Sequence, residues 1–114
     1  MNRFANESKQ EWLDRISEEY ELEIDFVKSL TQDYMNDTSQ NLELLKEITH
    51  ENMEEAQIAA HNIKGSSASL GQHEISDAAK CIEKQLKSGS IVGIEEKVKL
   101  LKSTYDQFKD FAAD

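Results

Sequence analysis

The chain contains no proline. Proline breaks helix interiors and punctuates the turns of nearly every mixed fold, so its absence points to an all-helical protein. Cysteine is almost as scarce. Cys81 stands alone, which excludes an internal disulfide and a structural thiolate zinc site and agrees with a reducing compartment. Of only four glycines, Gly71, Gly89 and Gly93 fall where the apolar periodicity lapses and mark helix boundaries, whereas Gly65 does not. No apolar run approaches the length of a bilayer span, and the polar stretch from Met1 to Gln10 lacks an apolar signal core, so a cytoplasmic location is expected. Thirteen Lys and Arg stand against twenty-three Asp and Glu, a formal net charge of -10 that repels nucleic acid and anionic membrane surfaces. The remainder, 38% hydrophobic and 32% charged over 114 residues, describes one domain spanning 1–114.

Ser8 with Glu11 three residues on has capping-box spacing and opens a first short helix that carries Trp12, Leu13 and Ile16 and ends near Ser17. A second helix opens in the acidic cluster Glu18, Glu19, Glu21 and Glu23, where a helix dipole favours negative charge. It carries Ile24, Val27, Leu30, Tyr34, Leu42, Leu45 and Ile48, and Thr38 keeps the spacing through the polar stretch Asn36 to Asn41, so one long helix is expected. His50, Glu51 and Asn52 form a turn, and Asn52 with Glu55 repeats the cap spacing. The third helix has a regular seam of Met53, Ala56, Ala60, Ile63, Ser67 and Leu70. After Gly71 a fourth carries Ile75, Ala79, Ile82 and Leu86; beyond Ser88 to Gly93 a fifth carries Ile94, Val98, Leu101, Tyr105 and Phe108. Short loops imply antiparallel neighbours, giving an up-down four-helix bundle with an additional N-terminal helix.

Such a bundle hosts many functions, so function has to come from residues off the seam. At about 100° per residue, His61 projects roughly 130° from the centre of the third helix's stripe and faces solvent. Gly65 lies one turn along the same face, Lys64 flanks it, and Ile58 points away from the core. A helix-interior glycine costs about 1 kcal/mol relative to alanine, and an exposed isoleucine adds nothing to a core, so this face is shaped for something that approaches it. A solvent-facing imidazole, a nearby cation and a neighbour without a side chain describe a nucleophile with an electrostatic partner and steric clearance. If the third and fourth helices form an antiparallel hairpin about Gln72, residues whose numbers sum to 144 lie level. His61 is then level with Glu83, a candidate orienter of the imidazole that would accept from Nδ1–H and leave Nε2 free.

The segment His61-Asn62-Ile63-Lys64-Gly65-Ser66-Ser67-Ala68-Ser69-Leu70-Gly71 closely resembles the signature of histidine-containing phosphotransfer (HPt) domains: His, an apolar residue at plus two, Lys at plus three, Gly at plus four, two small residues, then a later apolar residue and Gly. Helix order and length extend the resemblance over essentially the whole chain. It implies a phosphorelay intermediate without kinase activity, whose histidine accepts a phosphoryl group from the aspartate of one response-regulator receiver domain and donates it to another. His61 is then the phosphoacceptor, Lys64 the charge that meets the phosphoryl oxygens and Gly65 the gap that admits the receiver. At the position of Glu83 the family often has glutamine, so the glutamate is a departure. The expected partners are the receiver domain of a hybrid sensor kinase and a response regulator. No cofactor of its own is implied, magnesium being carried by the receiver, and the chain is expected to be a monomer, either free-standing or part of a larger kinase.

Several features read as incidental. Ser66, Ser67, Ala68 and Ser69 are packing residues, with Ala68 and Ile58 also candidate partner contacts; Ile58 has the alternative of lying under the first helix. Cys81 falls on the outer face of the fourth helix as an unreactive thiol. Glu47 and His50 have the spacing used in di-iron bundles, but such sites need two copies and only one exists. His50, His61 and His73 stand eleven and twelve residues apart, roughly 16 Å along a helix, so no metal site is expected. The competing functions are a bundle adaptor that regulates a signalling partner without being phosphorylated, and a metal-dependent bundle enzyme.

Overall fold

Ser8 caps the first helix as its spacing to Glu11 predicts. In the computed structural model, which describes residues 7–113, the Glu11 N–H donates to the Ser8 hydroxyl at 3.1 Å and the Ser8 N–H donates to the Glu11 carboxylate at 3.2 Å. Helix α1, Lys9–Tyr20, buries Trp12, Leu13 and Ile16. It runs a turn beyond the expected end near Ser17, because its stop is Glu21 in the left-handed region (φ 54). There the N–H groups of Glu21 and Leu22 donate back to the carbonyls of Glu18 and Ser17, a closure usually made with glycine and so invisible to a search for glycines. Glu18 and Glu19 therefore end α1 instead of opening the second helix. Residues before Glu7, most of the polar start, lie outside the described residues.

Helix α2, Ile24–Glu43, is continuous through Asn36 to Asn41, with Val27, Thr31, Tyr34, Thr38 and Leu42 buried. The expectation that it reaches Ile48 is corrected: the N–H groups of Leu44, Leu45 and Lys46 bond three residues back, and the chain leaves the helix. Leu45 is nevertheless buried and Ile48 half-buried, because the turn folds onto the bundle end. Apolar spacing survives there although the helix does not. Asn52 does stand at the N-cap of helix α3, Met53–Ser69, but its side chain makes no cap. Its amide instead accepts from the Thr49 N–H at 2.8 Å and donates to the Glu47 carbonyl at 2.7 Å, closing the loop rather than the helix.

Helix α3 buries Ala56, Ala59, Ala60, Ile63 and Ser67, a small-residue face that lets its neighbours approach closely. Tyr34 reaches across from α2 to share a 2.7 Å hydrogen bond with the Ser67 hydroxyl, and burial pushes the phenol up to about 12. At Gly71 (φ +69) the chain turns over in the left-handed conformation, with Gly71 and Gln72 N–H groups donating to Ala68 and Ser67 carbonyls. Helix α4, His73–Lys87, follows at once and packs along α3; the Ser76 hydroxyl donates to the Lys64 carbonyl at 2.9 Å. Helix α5, Ile94–Ala112, packs against α4 and α2 and closes the four-helix bundle, burying Leu101, Tyr105 and Phe108. Helix α1 adds the fifth element: Trp12 meets Phe108 and Phe111 edge-on at 5.5 and 6.2 Å, and Ile16 lies against the Gly71 turn. The fold is thus all-α, an up-down bundle with an extra N-terminal helix. Among the described residues no helix is long and apolar enough to cross a membrane.

Candidate functional site

The seam of α3 points its other side outward, and that side carries His61, Gly65 and Ala68 at helical spacing, all exposed. Ile58 extends the strip at 56% exposure, so the alternative that α1 covers it is wrong: α1 sits at the opposite end of α3, over the Gly71 turn. A Cβ built on Gly65 meets nothing within 4 Å, which leaves open space beside His61. Packing holds for Ser67 alone among the small residues of this segment. Ser66 and Ser69 turn their hydroxyls back to the carbonyls of Asn62 and Gly65, and Ala68 is exposed. Cys81 is exposed on α4.

Glu83 comes up from α4 to meet this strip. Its side chain is only 5% exposed, whereas that of His61 is 62% exposed, and His61 Nδ1 lies 2.7 Å from Glu83 Oε2. Lys64 Nζ lies 2.6 Å from the other oxygen, Oε1, and Lys87 Nζ 3.7 Å from Oε2. The hydrogen bond from Lys64 holds the Glu83 carboxyl below its ordinary value; burial opposes this, and the His61 hydrogen bond and the charges of Lys64 and Lys87 reinforce it. An ionised carboxylate only accepts, so the ring atom facing it at 2.7 Å must be the N–H. In its neutral form the imidazole is then the Nδ1–H tautomer, with Nε2 facing away from Glu83.

The hairpin arithmetic therefore places Glu83 beside His61, but it misses Lys64, which by the same sum is level with Lys80. One helical turn separates the two heights, about 5 Å, and the length of a lysine side chain spans it. In this structure the Lys64 ammonium is spent on Glu83, and its side chain is 31% exposed. Lys87 is the residue that sequence reasoning overlooked, although its i,i+4 spacing from Glu83 is the usual signal for an ion pair.

Glu83 is buried and paired, so its charge contributes to stability with a definite sign. Because its folded value is depressed, that contribution is complete above the ordinary carboxylate range and is lost as pH falls through the lowered value. Melting wild type and Glu83→Gln across pH should show a stability gap at neutral pH that closes below about pH 4. A gap of constant size from neutral to acid would remove the carboxylate's charge from the account.

The site is an open helix face, not a pocket. A cleft of about 690 Å³ lies instead between the α2–α3 turn and the start of α5 and includes none of these residues. Among the described residues no three His, Cys, Asp or Glu side chains converge as a metal site. An oriented histidine on an open face of a bundle has no cavity around it that would enclose a small substrate. The family model of the Hpt domain matches residues 29–111, from early in α2 nearly to the end of α5, and the chain belongs to the Hpt family. Such domains are histidine phosphotransfer carriers of two-component phosphorelays, not kinases, and interact with receiver domains. No curated protein and no solved structure gives a significant match.

Proposed function

We propose that His61 accepts a phosphoryl group from the aspartyl phosphate of one receiver domain and passes it to the aspartate of a second. The observation that carries this reading is the pairing of an exposed ring with a buried carboxylate: Nδ1 is held at 2.7 Å by Glu83 while the rest of the imidazole stands open beside Gly65. In the forward step Nε2 supplies the electron pair for the new N–P bond. The O–P bond of the aspartyl phosphate breaks, its pair returns to the receiver's carboxylate, and the proton stays on Nδ1, shared with Glu83. The loose transition state of phosphoryl transfer needs in-line placement and charge neutralisation more than covalent help. Glu83 supplies part of the placement by fixing the ring, and it offsets the positive charge that develops on the ring as the N–P bond forms. Lys64, three residues along the same helix, supplies a cation for the phosphoryl oxygens. Magnesium belongs to the receiver.

The reading is tested by intact-protein mass after incubation with a small phosphoramidate donor and, separately, with a phosphorylated receiver. Wild type should gain one acid-labile, base-stable phosphoryl group from either donor, and His61→Gln should gain none. No adduct on folded wild type would replace this reading with that of a non-phosphorylated adaptor.

A further inference from the structure

We propose that Lys87 is a positioning residue for phosphoryl transfer: it is the cation that stays on Glu83 when Lys64 leaves that carboxylate for the phosphoryl group. The inference deepens the reading of His61 as phosphoacceptor and rests on it. Three donors converge on one buried carboxylate, two at hydrogen-bonding distance and one just outside it. Lys64 Nζ and His61 Nδ1 lie at 2.6 and 2.7 Å, and Lys87 Nζ at 3.7 Å from the same oxygen that holds His61. Lys64 and His61 come from α3 and Lys87 from α4. Lys87 is 59% exposed, so its ammonium is still largely hydrated and free to move.

The charges show why a second lysine matters. With a neutral imidazole, the cluster holds one negative and two positive charges. A phosphoryl group adds nearly two negative charges beside His61. Lys64, one turn along α3, is the ammonium of this cluster on the histidine's own helix, so it is the one drawn to the new oxygens. Taken alone, that movement would strand Glu83: a buried carboxylate that loses its cation bears the full cost of its desolvation. Lys87 needs to move only from 3.7 Å to hydrogen-bonding distance to take the vacated role. The carboxylate then stays ionised and aimed at Nδ1 throughout the transfer. Lys64 is released at small cost, and the ring keeps its tautomer.

The test uses phosphoramidate, so that no receiver contact enters. Its P–N bond breaks, ammonia leaves with the bonding pair, Nε2 forms the new bond, and Nδ1 retains its proton. Rates of phosphohistidine formation are compared for wild type, Lys87→Met, Lys87→Arg, Glu83→Gln and the double variant Glu83→Gln/Lys87→Met, with thermal melts to establish that each is folded. Exposed and half-exposed ion pairs set the scale, so Lys87→Met should be roughly three- to fivefold slower than wild type and Lys87→Arg close to it. In the Glu83→Gln background the Lys87→Met change should have no effect, because no carboxylate remains to be held. Wild-type rates in Lys87→Met would overturn the proposal. So would equal slowing with and without Glu83, which would mean that Lys87 acts on the phosphoryl group directly or through bulk charge. Should Glu83→Gln not be phosphorylated at all, the Lys87 ammonium resonance decides: it must shift on phosphorylation of wild type, and an unmoved signal refutes the exchange. Failure of wild type itself to accept a phosphoryl group on His61 would instead count against the underlying function.

Discussion

Replacing Gly65 by glutamine should slow phosphoryl transfer between His61 and a receiver domain about 100-fold or more, because misplacement by an ångström is enough to cost that much in a step that depends on alignment. The same variant should be no less stable than wild type. Gly65 lies within α3, outside the residues of positive φ, and its added Cβ meets nothing within 4 Å. Glutamine is a better helix former than glycine by roughly 0.5–1 kcal/mol, so melting should if anything move upward. Phosphoramidate, small enough to pass the new side chain, should still phosphorylate His61. The measurement is a pair of rates, one with each donor. Transfer from a receiver at the wild-type rate would end the steric role of Gly65. Loss of both rates together would show that the side chain disturbs His61 itself rather than the approach of a partner.

Phe108→Ala should have the largest effect on folding, a loss of about 3–5 kcal/mol in urea denaturation, as is usual when a buried aromatic ring is truncated. Phe108 is fully buried, and its ring lies 5.5 Å from Trp12, 5.6 Å from Tyr34 and 6.4 Å from Phe111. It therefore joins α1, α2 and α5, and its removal loosens the N-terminal helix as well as the bundle. Single domains of this size are stable by only about 5–15 kcal/mol, so the loss is a large share of the total. None of the three rings belongs to the His61 face, and the folded fraction of the variant should accept phosphoryl groups normally. A loss below about 1 kcal/mol would mean that the aromatic cluster repacks around the cavity.

Both predictions depend on features of different legibility. Gly65 is visible in sequence because a glycine in the middle of a regular helical stripe is a local contradiction, and only something outside the helix resolves it. Phe108 is visible as one more residue of an apolar stripe, but its partners are not, since Trp12 and Tyr34 come from segments far along the chain. The end of α1 was hidden because Glu21 adopts a conformation that sequence patterns assign to glycine. The end of α2 was hidden for the opposite reason. Leu45 and Ile48 keep helical spacing while serving a turn that folds onto the core, and periodicity does not separate these uses. At Asn52 two local hydrogen-bonding choices compete, a helix cap and a loop closure, and nothing in the residues nearby says which wins.

The sequence alone determined the all-helical class, four of the five helix beginnings to within a residue or so, and the exposed face of His61 and Gly65, because each of these follows from 3.6-residue periodicity and the chemistry of single residues. The family motif lies on one helix and the turn that ends it, and was legible for the same reason. Tertiary structure decided the rest of the site. Glu83 is a chemically ordinary glutamate until the α3–α4 hairpin buries it and brings Lys64, His61 and Lys87 onto its two oxygens. Burial is what gives that carboxylate its effect: taken out of water it must keep donors around it, and that demand fixes the tautomer of His61 and engages both lysines. Contacts between side chains of two helices depend on their separation, rotation and relative height, and no one-dimensional pattern specifies all three.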